Sequence, residues 1–210
     1  GSIFSVYMRE ARFDPTVRED DALQPGVRQV AAGYVLYGSS TTLAYTTGLG
    51  VSIFTLDPSI GEFILSDRGI KMPEHGPIYS INEGSYNSWD LGLKKYIKYC
   101  QEEDADSERP YSARYIGSMV ADIHRTLIKG GIFIYPHSKK YPNGKLRLMY
   151  ECNPLSFIIE QAGGMATDGQ TRIMDLQPKS IHQQTPIYIG SKQNVRKVMD
   201  FLEEYAAVEQ

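Results

Sequence analysis

The spacing of apolar side chains along this chain changes period several times, and each change marks an element. From Lys145 to Glu151 the pattern alternates. Successive side chains of a strand take opposite faces, so Leu146, Leu148 and Tyr150 share one face while Lys145, Arg147, Met149 and Glu151 share the other. At about 3.3 Å per residue, the α-carbons of Arg147 and Glu151 then lie about 13 Å apart. That spacing suits an elongated ligand with an anion at each end, although the same pattern also reads as a strand with one solvated face. The period then turns helical: Asn153 supplies an N-cap, Pro154 is tolerated at the first helical position, and Leu155, Ile158, Ile159 and Ala162 recur on one face until Gly163-Gly164 stops the helix. Glu151 is thus predicted at a strand end beside a helix N-terminus, where a carboxylate keeps its charge and a metal or phosphate is also attracted.

The same reading covers the rest of the chain. The opening GSIFSVY already reads as a strand, so the sequence looks like a piece that starts within a domain. Residues 8–27 are charged and broken by Pro15 and Gln24-Pro25-Gly26, which predicts a surface loop. Residues 29–37, alanine-bearing and ending at Gly38, predict a helix. Residues 42–47 and 51–56 flank Gly48-Leu49-Gly50 as a hairpin, with a third strand over 62–66. Residues 78–81 are extended. Trp89, Leu93, Tyr96, Ile97 and Cys100 mark one face of a helix capped near Asn87 or Ser88, and the acidic run from Glu102 to Asp106 after it is a solvated loop. Ser118 caps a second helix with Val120, Ile123 and Leu127 inward, and the last helix, from Ser191, follows a strand over 186–189 and turns Val195, Val198, Met199 and Leu202 inward. Strands alternating with helices after a hairpin predict an α/β layered domain with a mixed sheet.

Composition narrows the possibilities. The 210 residues are 41% hydrophobic with a net charge of −3, enough for a sizeable core. The basic residues are scattered, so no nucleic-acid or acidic-membrane footprint exists, and no apolar run approaches a bilayer span. Cys100 and Cys152 are the only cysteines; they read as reduced, buried thiols of a cytoplasmic protein rather than a disulfide. His75, His124, His137 and His182 lie too far apart in sequence for a zinc motif. The 15 tyrosines are the unusual count, and some of them can offer hydroxyls to a polar ligand.

Three further polar clusters sit at the ends of predicted strands, where open α/β sheets bind ligands. They are Asn82-Glu83-Gly84, the run from Ala113 through Arg114, Tyr115, Gly117 and Ser118 to Met119, and Tyr135 with Lys139 and Lys140. Gly117 and Ser118 precede a helix, so their amides either meet a phosphate or sugar hydroxyl or merely form a turn and cap.

Taken in order, LQPGxxxVAAGYVLYGSS, LDPSIGEF, YSINEG, ARYIGSMVADIHRTLIKGGIFIYP, GKLRLMYECNPLSFIIEQAGGMATDG and IHQQTPIYIGS resemble the carboxyl-terminal, larger part of class I fructose-1,6-bisphosphatase, closest to the bacterial and cytosolic types. The loop from Met8 to Leu23 lacks the cysteines of the chloroplast enzyme.

The resemblance implies an α/β, layered sugar-phosphatase (inositol-monophosphatase-like) fold with mixed sheets and flanking helices, its amino-terminal part missing, over residues 1–210 with no separate second domain. It implies a cytoplasmic homotetramer of carbohydrate metabolism that hydrolyses fructose 1,6-bisphosphate in gluconeogenesis with Mg2+, or Mn2+ or Zn2+ in its place. Asn82, Tyr115, Tyr135 and Lys145 would hold the 6-phosphate, with Lys140 among the substrate residues. Arg114 would reach that phosphate in a neighbouring protomer, and Gly117, Ser118 and Met119 would line the furanose. Arg147 would lie near the 1-phosphate and Glu151 would be a metal carboxylate. This sequence has Ser85 and then Tyr86 where some relatives have Tyr directly after Asn-Glu-Gly, and either could contact phosphate. The family's other metal ligands, an upstream Glu and Asp-Pro-Leu-Asp-Gly-Ser, would lie ahead of Gly1. Sedoheptulose bisphosphatase activity and a non-catalytic sugar-phosphate-binding fragment are the alternatives.

Overall fold

The computed structural model describes residues 1–9, 16 and 18–206. Strands β1 (Ser2–Tyr7), β2 (Gln29–Tyr37), β3 (Thr41–Thr46), β4 (Val51–Asp57) and β5 (Glu62–Arg68) form an antiparallel sheet in chain order. The predicted hairpin joins β3 to β4. The Thr46 hydroxyl closes it, donating to the Gly50 carbonyl at 2.7 Å and accepting from the Gly48 N–H at 3.0 Å. Of the surface loop predicted over 8–27, residues 10–15 and 17 lie outside the described residues; the remainder holds single turns at Glu19–Asp21 and Gly26–Arg28.

Residues 29–37 correct the sequence expectation: they form a central strand, bonded to β1 and β3, and not a helix. The alanines suggested a helix, but Val30, Val35 and the aromatic residues favour a pleated surface. Gly33 has a packing reason as well. A Cβ there would meet the Phe4 ring at 2.3 Å, so the glycine makes room for the neighbouring strand's aromatic side chain.

The second sheet comprises β6 (Ile78–Ser80), β7 (Ser112–Ala113), β8 (Ile132–Tyr135), β10 (Met165–Thr167) and β12 (Ile187–Gly190), in the order β10-β12-β8-β6-β7. It is mixed, since β6 runs parallel to β7 and β8 while β12 runs antiparallel to β8 and β10. Its alternating side chains face two cores. Ile132, Ile134 and Tyr188 join Leu93, Tyr96 and Ile97 of α1 (Leu91–Gln101) and Val195 and Val198 of α4 (Lys192–Ala206). Phe133, Ile187 and Ile189 join Ile123 and Leu127 of α2 (Met119–Lys129), Ile158 and Ile159 of α3 (Asn153–Gln161), and Ala32 and Tyr34 of the first sheet. The layers are therefore a helix pair, the mixed sheet, a second helix pair and the antiparallel sheet. This is the predicted layered α/β class. Cys100 and Cys152 are buried free thiols, and burial pushes the Cys100 thiol up to about 12, which makes it a poor nucleophile.

Two caps differ from expectation. Helix α1 is capped by Asp90, whose carboxylate accepts from the Leu93 N–H at 2.8 Å, because Asn87 and Ser88 are taken up in a 3-10 turn, Glu83–Ser88. The predicted strand over 145–151 is the larger correction. Only β9 (Leu146–Arg147) pairs, with β11 (Gln184–Thr185), and Leu148–Cys152 form a wide π-helical turn that runs into α3. Asn153 lies inside this helical run, buried, and not at its cap. The alternation fails from that point: Met149 is buried and Tyr150 exposed.

The strands that carry the ligand-binding ends are brought together by a backbone crossing. Gly131 has φ +99°, and a Cβ there would lie 2.2 Å from the Ile78 carbonyl oxygen; one on Gly190 would lie 2.2 Å from the Gly131 carbonyl. Ser191 fastens the crossing, its hydroxyl donating to the Pro73 carbonyl at 2.6 Å and accepting from the Gly131 N–H at 3.1 Å. Gly131→Ala should combine left-handed strain with a backbone clash and cost about 3 kcal/mol or more, read as a lowered urea midpoint. An unchanged midpoint would mean that the crossing tolerates displacement.

Candidate functional site

Because β6 and β8 are parallel neighbours, their carboxyl ends open at one sheet edge, where α/β proteins place ligands. A cleft of about 430 Å³ lies there, and Asn82, Tyr135, Lys140 and Lys145 line it together. Asn82 follows β6 and caps the 3-10 turn, its side-chain oxygen accepting from the Gly84 N–H at 3.2 Å. Glu83 is turned aside as the acceptor of the Tyr79 hydroxyl at 2.8 Å, and burial, ahead of any charge effect, pushes that phenol up to about 12. The turn carries Ser85, Asn87 and Ser88 to the cleft wall, with Trp89 behind them. Of the two residues left open after Asn-Glu-Gly, Ser85 lines this cleft. Tyr135 ends β8, and Lys140 and Lys145 come from the loop beyond it. Tyr141, which the sequence reading did not select, lies between those lysines on the same wall.

The run from Arg114 to Met119 follows β7, the strand paired with β6, and none of its residues lines the cleft. The phenol of Tyr115 is raised above its ordinary value by burial first and then by the electrostatic influence of Tyr135 and Asp122. Arg114 is exposed, its N–H donating to the Tyr79 carbonyl at 2.9 Å and its guanidinium to the Ala113 carbonyl at 3.2 Å. Gly117 has φ +82°, and its N–H points to the Asp122 carboxylate at 3.2 Å, as does the Ile116 N–H at 3.1 Å. These amides are therefore committed within the chain. Ser118 occupies the N-cap position without a side-chain capping bond, and Met119 begins α2 and packs partly buried against the first core.

Asp122 was missed because it reads as one polar residue in an amphipathic helix; the available signal was its place between inward-facing Val120 and Ile123. It is fully buried. Besides the two amides it accepts from the Ser80 hydroxyl at 2.8 Å and from Arg125 at 2.9 Å.

Arg147 and Glu151 are not at two ends of a strand. The helical turn sets them side by side: a Glu151 carboxylate oxygen accepts from the Arg147 backbone N–H at 2.8 Å and lies 3.5 Å from its guanidinium. Neither lines the cleft. Among the described residues no group of three or more His, Cys, Asp or Glu side chains could hold a metal ion. Glu151 by itself, with one oxygen engaged by Arg147, does not make the oxygen cage that Mg2+ needs.

Comparison with protein families decides the assignment. Residues 72–203 match the family model described as the C-terminal domain of fructose-1-6-bisphosphatase, and residues 1–68 match its N-terminal domain. The chain belongs to the fructose-1,6-bisphosphatase family. Its mixed sheets and flanking helices agree with the sugar-phosphatase fold of that family, and the family supports a fructose-bisphosphatase type of phosphatase function. The boundary between the two matches falls between β5 and β6, so the N-terminal match covers the antiparallel sheet and the C-terminal match the mixed sheet that bears the cleft. In this fructose-1,6-bisphosphatase family member, Asp122→Ala should cost about 3 kcal/mol, because it strands buried donors and the Arg125 charge. Hydrogen exchange should speed up at Ile116 and Gly117, in the loop ahead of α2, more than within α2; unchanged exchange at those two amides would mean that the loop has other anchors.

Proposed function

We propose that this chain carries the sugar-phosphate half of a fructose-1,6-bisphosphatase site, with the cleft holding the 6-phosphate. The observation that carries the reading is the convergence of Asn82, Tyr135, Lys140 and Lys145 on one cleft at the strand ends. Two ammonium groups, a phenol and an amide are the donors a phosphate dianion needs, and charge-assisted bonds of this kind are the strong ones. In the reaction proposed, water adds to the phosphorus of the 1-phosphate, the bond from phosphorus to the sugar oxygen breaks, and that oxygen takes a proton, giving fructose 6-phosphate and inorganic phosphate. The 6-phosphate remains a handle whose binding energy orients the reacting end.

The finer assignments rest on the family. Mg2+ is the proposed cofactor, Arg147 the residue near the 1-phosphate and Glu151 a metal carboxylate. The described residues gather too few oxygen ligands for that metal, so the 210-residue chain on its own should bind sugar phosphate without turnover. An exposed Arg114 fits a site shared between protomers of a homo-oligomer, and buried free thiols fit a reducing cytoplasm. No described helix is long and apolar enough to cross a membrane.

Titration calorimetry with fructose 6-phosphate tests the handle. Lys145→Ala should weaken binding by about one to two orders of magnitude. Affinity within twofold of the unaltered chain would remove Lys145 from the phosphate site. In parallel, the folded chain should release no phosphate from fructose 1,6-bisphosphate with added Mg2+. Measurable turnover would show that Glu151 and its surroundings suffice.

A further inference from the structure

The loop that carries the cleft's cations is built around one aromatic ring. Ser138 and Tyr141 exchange backbone hydrogen bonds, each N–H donating to the other's carbonyl at 3.0 Å. The Ser138 hydroxyl also accepts from the Tyr141 N–H at 3.2 Å, and the Gly144 N–H donates to the Tyr141 carbonyl at 3.0 Å. Tyr141 is therefore fixed by its backbone while its side chain stays 37% exposed on the cleft wall. The Lys140 ammonium lies 5.4 Å from the centre of its ring and the Lys145 ammonium 5.6 Å. Among the described residues, neither ammonium forms an ion pair with a carboxylate.

That combination has a chemical meaning. Two like charges gathered beside a cleft repel each other and need a holder. A carboxylate would hold them by neutralising them and would then compete with any incoming anion. An aromatic face attracts cations through its quadrupole and leaves their charge intact. We propose that Tyr141 is a positioning residue that gathers the Lys140 and Lys145 ammoniums, still fully charged, for the phosphate monoester of the substrate. The proposal rests on the reading of this cleft as the phosphate handle and adds to it a residue that sets affinity for the charged end of the ligand. A ligand without that phosphate gains nothing from the ring, so Tyr141 separates sugar phosphates from sugars.

The test is calorimetry on the full chain with fructose 6-phosphate, and with fructose as the uncharged control. Each variant is first checked for native circular dichroism and melting. Two cation–π contacts imply that Tyr141→Leu weakens fructose 6-phosphate binding roughly five- to twentyfold. Tyr141→Phe keeps the ring and should stay within threefold of the unaltered chain. Tyr141→Glu should be weaker than the leucine variant, because it neutralises the lysines, although a merely structural role would tolerate either polar or apolar side chains on this exposed wall. Leucine and glutamate variants that bind as well as the unaltered chain would overturn the proposal, and so would a phenylalanine variant as weak as leucine. If Lys140→Ala and Lys145→Ala also bind normally, the phosphate reading of the cleft falls with it; if those two lose affinity while Tyr141→Leu does not, the reading stands and the role given to Tyr141 is wrong.

Discussion

The site depends on one buried carboxylate. Asp122 is anchored in the first turn of α2 and reaches the hydroxyl of Ser80, two residues before Asn82, and the amides of Ile116 and Gly117. It therefore links two segments that also meet through short β pairing, the end of β6 and the loop after β7. Burying a charge is unfavourable unless its lone pairs are satisfied, and here two amides, a hydroxyl and a guanidinium satisfy them. The same bonds explain why Gly117 takes a positive φ: the chain must turn so that successive amides face one carboxylate. Gly131 and Gly190 do the corresponding work on the backbone, letting β6, β8 and β12 approach closely enough to share an edge.

How much of this was legible in the sequence depended on whether an element is fixed by its own residues. The hairpin after β3, the interior face of α1 and the run Val195–Val198 in α4 carry their period and turn chemistry locally, and they were read correctly. Residues 29–37 were not, because the sequence contains two alanines where tertiary pairing needs a strand, and the reason for Gly33 lies on another strand, in Phe4. The stretch from Lys145 to Glu151 failed for a different cause. Its alternation is genuine in the sequence, but β11 offers only two pairing residues, and Leu148 makes one further bond, to Gln183. Beyond that, the backbone donors and acceptors have only the helix to turn to.

Candidate residues were legible where position along a strand implied position in space. Asn82 and Tyr135 lie at the carboxyl ends of β6 and β8, so topology alone brought them together. Tyr141 and Asp122 were missed for complementary reasons. One tyrosine among 15 carries no signal until two lysines are seen on its ring, and a helical aspartate looks solvated until its burial is known. The separation of Arg147 and Glu151 was misjudged because a strand rises more than twice as far per residue as a helix. A pair expected to touch different parts of a ligand instead touches itself.

That last correction changes the electrostatic logic of the whole region. At the cleft, Lys140 and Lys145 keep charges that no described carboxylate neutralises, so an anion gains the full attraction on arrival. At the π-helical turn, Arg147 already shares a carboxylate with its own backbone N–H, so an anion arriving there must compete with Glu151, and a cation arriving at Glu151 must compete with Arg147. The two ends of a bisphosphate would thus meet surfaces of different readiness. At the cleft no described ion pair has to open first, while at the turn an incoming ion must offset an internal ion pair that is partly exposed and therefore only weakly held. On the function proposed above, the cleft would take the non-reacting phosphate without disturbing an ion pair and the Arg147–Glu151 pair would have to open for the reacting one, so that remote binding energy could assist the chemical step.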